Sequence, residues 1–297
     1  MREPIPAFPE PLDEHRPLLF AIAYRMLGTV SDAEDMVQET YLRWRRALAT
    51  GSVIAAPKGW LTTTITHLCI DQLRSARVRR EEYIGPWLPE PIVTGPAADP
   101  AEGVALAESL SLAFLTVLER LNPVERAIFL LHDVFGYEFA EIAPIVEREA
   151  ANCRQIARRA RASIQHARPR FPLQPGEPER LTREFLRACT LGDLPALVAT
   201  LTDDITVWSD GGGRVQAARK PVRGAEKAAR FLLHLVADGA AQGVTFTVTT
   251  VNGQPGVLIG APAGPYGVVA LDIAAGRIRE IDIVINPEKL RHLVPSA

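Results

Sequence analysis

Three cysteines in 297 residues, Cys69, Cys153 and Cys189, are few, odd in number and far apart. No two have the close spacing of a structural zinc site, and a scattered odd set excludes the disulfide framework of a small secreted domain. No metal and no cofactor are expected, and a reducing cytoplasm is. Long apolar runs are missing too: nothing approaches the ~20 residues that span a bilayer. Residues 1–11 carry Arg2, Glu3 and several prolines but no apolar segment, which excludes a signal peptide there. A membrane partner is not expected. Nor is there an excess of either charge, since the net charge is only −2.

What is present is a globular composition, 47% hydrophobic and 23% charged, on a chain long enough for two or three domains. The near-zero net charge hides two basic clusters. Lys58, Arg74, Arg77, Arg79 and Arg80 form one; Arg148, Arg154, Arg158, Arg159, Arg161, Arg168 and Arg170 form the other, with Glu149 its only acid. Clustered cations on one element are the footprint of a nucleic-acid partner.

Apolar residues recur at helical spacing through the first 84 residues: Leu18, Leu19, Ile22, Met26 and Leu27, then Val37, Tyr41 and Trp44, then Leu61, Ile65, Leu68 and Leu73. Ser31 with Glu34 predicts a capping box at the start of the second helix, and Trp60 to Arg80 reads as the third. A helical bundle is expected over 10–84. A proline-rich linker, 85–101, follows; its Trp87-Leu88 pair is apolar enough to dock, or is an incidental part of a solvated tether. Helices return over 102–170. Leu112, Leu115, Leu118 and Leu121 lead to Asn122-Pro123, a helix from Ala127 to Phe135 stops at Gly136, and two helices, 138–146 and 150–165, meet across a tight turn in helix-turn-helix outline. Pro169, Pro172, Pro175 and Pro178 mark a second linker, 171–178. From 179 to 297 helices come first and strands later, which predicts an α+β domain with a curved antiparallel sheet.

In a helix-turn-helix the second helix lies in the major groove. Arg154, Gln155, Arg158 and Arg159 are placed to reach base edges, arginine pairing with guanine and glutamine with adenine; Arg161, Arg168 and Arg170 suit phosphate. An exposed basic face on an ordinary helix pair is the plainer alternative. In the first bundle, Trp60 opens a helix whose far end carries Arg74, Arg77, Arg79 and Arg80, a ring for stacking and cations for a single strand, or Trp60 packs in the core.

Asp32-Ala33-Glu34-Asp35-Met36-Val37-Gln38-Glu39-Thr40, Pro57-Lys58-Gly59-Trp60-Leu61 and Asp71-Gln72-Leu73-Arg74 resemble the second conserved region of sigma-70 family factors. Residues 118–161, opening Leu118-Glu119-Arg120-Leu121-Asn122-Pro123, look like the fourth. The short linker between them is similar to the extracytoplasmic-function (ECF) group of RNA polymerase sigma factors. Trp87-Leu88-Pro89-Glu90-Pro91, Asp210-Gly211-Gly212-Gly213-Arg214 and Asn286-Pro287-Glu288-Lys289-Leu290 narrow the resemblance to SigJ-like factors with a SnoaL-like, cone-shaped C-terminal extension. Arg214 stands where that group usually has lysine, and Glu288 where it usually has aspartate; both keep the charge.

The resemblance implies a factor that binds core RNA polymerase through Glu34, Asp35, Gln38 and Glu39. It would melt and read the −10 element with residues 50–80 and the −35 element with Arg154, Gln155, Arg158 and Arg159. Catalysis would belong to the polymerase, so the chain itself is not expected to be an enzyme. The three motifs would meet, holding the linker and tuning activity in cis. Three roles stay open for the last domain: purely structural regulation, binding of a small ligand in an apolar pocket, or catalysis by Asp210 beside Trp208 with Asp272 or Asp282. The competing readings of the chain are a DNA-binding regulator or enzyme whose C-terminal domain binds or turns over a ligand, and a repressor that never meets polymerase.

Overall fold

The computed structural model describes residues 12–81, 83–94, 109–165, 176–241 and 243–294. The prolines of the second linker up to Pro175, the basic residues Arg168 and Arg170, residues 1–11, and the side chains of Arg77, Arg79 and Arg80 lie outside this description. The chain divides into two units, residues 1–79 with 118–165 and residues 80–117 with 166–297.

The first unit is helical. Helices α1 (Leu12–Leu27), α2 (Val30–Ala49) and α3 (Pro57–Glu81) bury Leu19, Ile22, Met26, Val37, Trp44, Leu61 and Ile65. The expected capping box at Ser31 is absent. Thr29 is the N-cap, its hydroxyl donating to Asp32 Oδ2 (2.7 Å), and α2 starts at Val30. Helix α3 starts three residues before Trp60, with Pro57 in the first turn, where a missing N–H costs nothing.

Helix α4 (Leu112–Leu118) reaches the first unit only at its last residue. Helix α5 (Pro123–Phe129) begins earlier than Ala127 because Asn122 and Glu125 form a capping box: Asn122 Oδ1 accepts from Val124 N (3.1 Å) and Glu125 N (2.9 Å), and Asn122 N donates to Glu125 Oε2 (3.1 Å). A π-helical turn, Leu130–Val134, carries the chain to Gly136, which ends it at φ +71°. Helices α6 (Phe139–Ile145) and α7 (Ala150–Gln165) flank a turn in which Glu147 adopts φ +54°.

Side-chain hydrogen bonds among the described residues join the early helices to the later ones. Arg126, buried, donates from Nη1 to the Met26 carbonyl (2.8 Å) and from Nη2 to Glu119 Oε1 (2.7 Å). Burial pushes its pKa down to about 9, which leaves it charged at neutral pH. Thr62 Oγ1 and the Tyr137 hydroxyl share a hydrogen bond (3.0 Å), and His67 Nε2 donates to the Ile145 carbonyl (2.5 Å).

The second unit is α+β. Helices α8 (Glu177–Leu191), α9 (Leu194–Thr200) and α10 (Ala225–Ala241) accompany strands β1 (Val93–Thr94), β2 (Leu201–Asp210), β3 (Val222–Arg223), β4 (Thr245–Val251), β5 (Gln254–Ala261), β6 (Gly264–Ala274) and β7 (Arg277–Val284). The sheet runs β1-β4-β5-β6-β7-β2-β3 and is antiparallel except where β2 lies parallel to β7. Strand β2 runs from Leu201 to Asp210, longer at both ends than the Ile205-Thr206-Val207-Trp208 stretch that reads as strand in the sequence.

Both faces of the central strands carry buried residues, and side-chain alternation assigns each residue to one of them. Val207, Val269, Leu271, Ile281 and Ile283 meet the helices; Trp208, Val268, Ala270 and Val284 meet Leu88, Leu112 and Leu290 on the other side. A bulge between Asp272 and Ile273 leaves Arg279 as the extra residue on β7, where it forks onto Asp272. The face away from the helices is thus closed by the proline-rich segment and the C-terminal 3-10 helix (Pro287–Leu293).

Candidate functional site: a linker clasp and two exposed faces

The three short motifs converge on Asp210. This residue ends β2 fully buried, and its carboxylate accepts from the Tyr83 hydroxyl (2.5 Å) and Gly212 N (3.0 Å) at Oδ1, and from Leu88 N (2.8 Å) and Lys289 Nζ (2.7 Å) at Oδ2. Lys289 Nζ also donates to the Leu88 carbonyl and lies 4.3 Å from the Trp87 ring centroid and 5.0 Å from that of Tyr83. One cation is therefore held by a carboxylate, a carbonyl and two aromatic faces. A buried carboxylate and ammonium tolerate loss of water only with such partners.

The backbone around the clasp leaves no slack. Asn286 caps the 3-10 helix by accepting from Glu288 N (3.0 Å), and its Nδ2 donates to the Tyr83 hydroxyl (2.9 Å). Burial, then the hydrogen bond to Asp210, push the Tyr83 pKa upward, so the phenol stays a donor. At Gly212, φ +60°, an added Cβ would stand 2.2 Å from Asn286 Nδ2; at Gly213, φ +69°, it would stand 2.9 Å from Ile84 Cδ1. Gly211 has Val215 O 2.6 Å from the same position. Arg214 and Glu288, the two departures from the group's usual residues, pair with each other at 3.0 Å in an exposed setting. Pro287 occupies the first turn of the 3-10 helix and Leu290 enters the core beneath the linker.

Beyond Leu88, residues Pro89, Glu90 and Pro91 are buried, His292 Nε2 donates to the Pro91 carbonyl (2.7 Å), and β1 adds to the free edge of β4, Val93 opposite Val251. The Trp87-Leu88 segment is docked. Tyr83, His292 and Asn252, which bonds Ile92 and Leu110, escaped sequence reasoning. Only the last left a signal: Asn-Gly between two strand-like runs is a hairpin turn, here with φ +51° and +73°.

The second helix of the helix-turn-helix presents a polar face. Arg154, Gln155, Arg158 and Arg159 are exposed along α7, while Cys153, Ile156, Ala157 and Ala160 face inward. Arg154 lies 5.8 Å from the Phe139 ring centroid; Arg161 is ion-paired with Asp133 (2.7 Å) and so already has an acidic partner. On α2, Asp35 and Gln38 are exposed, Glu34 pairs with Arg16 (2.6 Å) and Glu39 with Arg43 (2.9 Å). Trp60 is half-buried and meets Trp44 edge to face, centroids 5.4 Å apart, and Arg74 pairs with Asp71 (3.0 Å). Arg77, Arg79 and Arg80 continue the backbone of α3.

A cavity of about 350 Å³ lies between the helices and the sheet, lined by Phe185, Phe231, Phe246, Val257, Ile259 and Tyr266 among others. Trp208 and Asp210, the pair considered for catalysis, do not line it. Both point to the opposite face, as even-numbered residues of β2. Asp272 is held by Arg279, and neither it nor Asp282 is among the lining residues. The titratable side chains that do line the cavity are Cys189, whose thiol burial pushes up to about 12, Tyr266, His234 and Asp238, the last two paired at 3.4 Å in an exposed position. Among the described residues no group of three or more His, Cys, Asp or Glu could hold a metal, and no helix is long and apolar enough to cross a membrane.

A helical region, a helix-turn-helix with a basic second helix, and an appended α+β domain gripping the segment between them define a two-region sigma factor with a C-terminal extension. The comparisons agree. The family described as Sigma-70 region 2 matches residues 12–79, and Sigma-70, region 4 matches residues 111–164. The chain is 39% identical over 298 residues to the ECF RNA polymerase sigma factor SigJ of Mycobacterium tuberculosis, covering 94% of this chain and 91% of that one. It is 36% identical over 279 residues to a probable ECF RNA polymerase sigma factor SigI of the same species, covering 93% and 92%. The crystal structure of M. tuberculosis SigJ superposes with a TM-score of 0.75 at 36% identity, covering 94% of this chain and 98% of that one. The chain belongs to the ECF RNA polymerase sigma factor family. Its partners are accordingly core RNA polymerase and promoter DNA, and sigma factors are initiation factors, not enzymes.

Proposed function

We propose that the C-terminal domain tunes this sigma factor in cis by holding the segment between its two DNA-reading regions. The clasp on Asp210 carries the reading, because it joins all three motifs through a buried charge pair that folding alone does not require. Arg154, Gln155, Arg158 and Arg159 read the −35 element; Trp60, Arg74, Arg77, Arg79 and Arg80 serve the melted −10 strand; Arg161 adds phosphate affinity once it leaves Asp133. Glu34, Asp35, Gln38 and Glu39 meet a basic surface of core polymerase, and the factor acts where polymerase is, in the cytoplasm. The test is transcription by core polymerase from a cognate promoter with the intact chain and with Lys289→Ala. A changed output is expected, and equal output at equal core binding would overturn the regulatory role.

The cavity favours a second, compatible role. Its apolar lining suits an uncharged apolar ligand. A hydrophobic dye titrated into the intact chain should bind in competition with such a ligand, and Phe231→Trp should block it; dye binding unaffected by the substitution would remove the cavity from consideration.

A further inference from the structure

The clasp grips the linker near Leu88, but a single residue outside all three motifs grips it twice more. Asn252, 1% exposed at the turn between β4 and β5, donates from its backbone N–H to the Ile92 carbonyl (2.8 Å) and accepts from Ile92 N at Oδ1 (2.8 Å). Its Nδ2 donates to the Leu110 carbonyl (2.8 Å). Two chain positions 18 residues apart, 110 minus 92, therefore meet on one side chain. Fully extended, those 18 steps would reach about 60 Å. Bound to Asn252, Ile92 and Leu110 are instead held at one side chain. Leu112, two residues further on, begins the helix that leads to the helix-turn-helix.

That reach matters because the two DNA-reading regions are packed together through Arg126, Tyr137 and His67. The −10 and −35 elements lie roughly 25 base pairs apart, about 85 Å of duplex at one turn per 34–36 Å. To occupy both, the regions must part, and the chain between them must supply the length.

We propose that Asn252 is the positioning residue that sets the working length of this linker, and with it the spacing between promoter elements that the factor accepts. The proposal rests on the reading that the C-terminal domain acts through the linker. Asn252 suits the task because both of its side-chain atoms are engaged, Oδ1 on one linker end and Nδ2 on the other, while its left-handed backbone is one that Gly and Asp also adopt.

The full-length chain with core polymerase would be assayed on one promoter whose spacer is varied base pair by base pair, as wild type, Asn252→Gly and Asn252→Asp. Gly keeps the turn and loses both side-chain bonds; Asp keeps the acceptor for Ile92 N and loses the donor to Leu110. Wild type should prefer one spacer over its neighbours by about tenfold, the scale of two ordinary hydrogen bonds, and Asn252→Gly should flatten that preference to about threefold or less. Asn252→Asp should fall between. Amide hydrogen exchange supplies the second readout: faster exchange at both 92 and 110–112 in Asn252→Gly, and at 110–112 alone in Asn252→Asp. Spacer profiles and exchange equal to wild type, with Lys289→Ala still altering output, would overturn the role of Asn252 and leave cis-regulation standing. If Lys289→Ala is silent as well, both fall together.

Discussion

The two units hold distant parts of the chain together by different physics. In the helical unit the early and late helices meet through side chains that reach backbone carbonyls or another hydroxyl: Arg126 to Met26, His67 to Ile145, Tyr137 to Thr62. Water can replace most of such a bond, so each is worth about 1 kcal/mol net, more where a charge takes part. In the second unit the linker belongs to the fold. It adds a strand to the sheet, covers one of its faces, and buries a carboxylate and an ammonium against each other. Water cannot replace that pair gradually, because parting it strands a charge. The comparison teaches that the helical contacts can be given up one hydrogen bond at a time, while the linker clasp is lost only with its buried charge pair.

The sharpest way to break this contrast is to remove one partner of the buried pair. Lys289→Ala leaves Asp210 uncompensated and should cost about 3–5 kcal/mol of the second unit's stability, read from its denaturant midpoint. Asp210→Leu with Lys289→Met should recover most of that loss while leaving Tyr83 and Leu88 N without their acceptor, separating fold stability from linker docking. In the helical unit, Arg126→Met removes charged hydrogen bonds to Met26 and Glu119 and should cost about 2–3 kcal/mol. It should also increase the separation of labels placed on α1 and α6. Equal separation in wild type and variant would mean that Arg126 does not hold the closed form.

Smaller changes test how tightly the clasp is built. Gly212→Ala forces a Cβ toward Asn286 at a left-handed φ and should destabilise by about 1–3 kcal/mol, with Tyr83 losing part of its protection in amide exchange of the segment. Arg214→Lys, at an exposed pair, should change stability by no more than about 1 kcal/mol, and the change should shrink further at high salt. A large effect there would mean that the exposed pair carries function beyond its contact with Glu288.

Much of the helical unit was legible because its signals are local. Apolar spacing marked the bundle, Gly136 and the charge-rich turn marked the helix-turn-helix, and exposure of Arg154, Gln155, Arg158 and Arg159 follows from the same 3.6-residue period that buries Cys153, Ile156 and Ala160. Ser31 misled because a short polar residue followed by glutamate fits a capping box at any register, whereas the helix starts one residue earlier, at Val30, with Thr29 at the N-cap position. The catalytic option for Asp210 misled for another reason. Adjacent residues of a strand face opposite ways, and a list of nearby carboxylates does not say which face holds the cavity.

The sequence by itself determined the class of protein: periodicity, basic clustering and family motifs are written along the chain and need no knowledge of what folds onto what. It also contained all the pieces of the clasp. Their meeting, the pairing of Arg214 with Glu288, the edge strand at Val93 and the double grip of Asn252 were decided by tertiary structure. These join residues from 74 to 201 positions apart, and such contacts depend on sheet order and on which face each strand turns inward. No local pattern records that, because the free energy that selects it belongs to the packed domain and not to any segment of it.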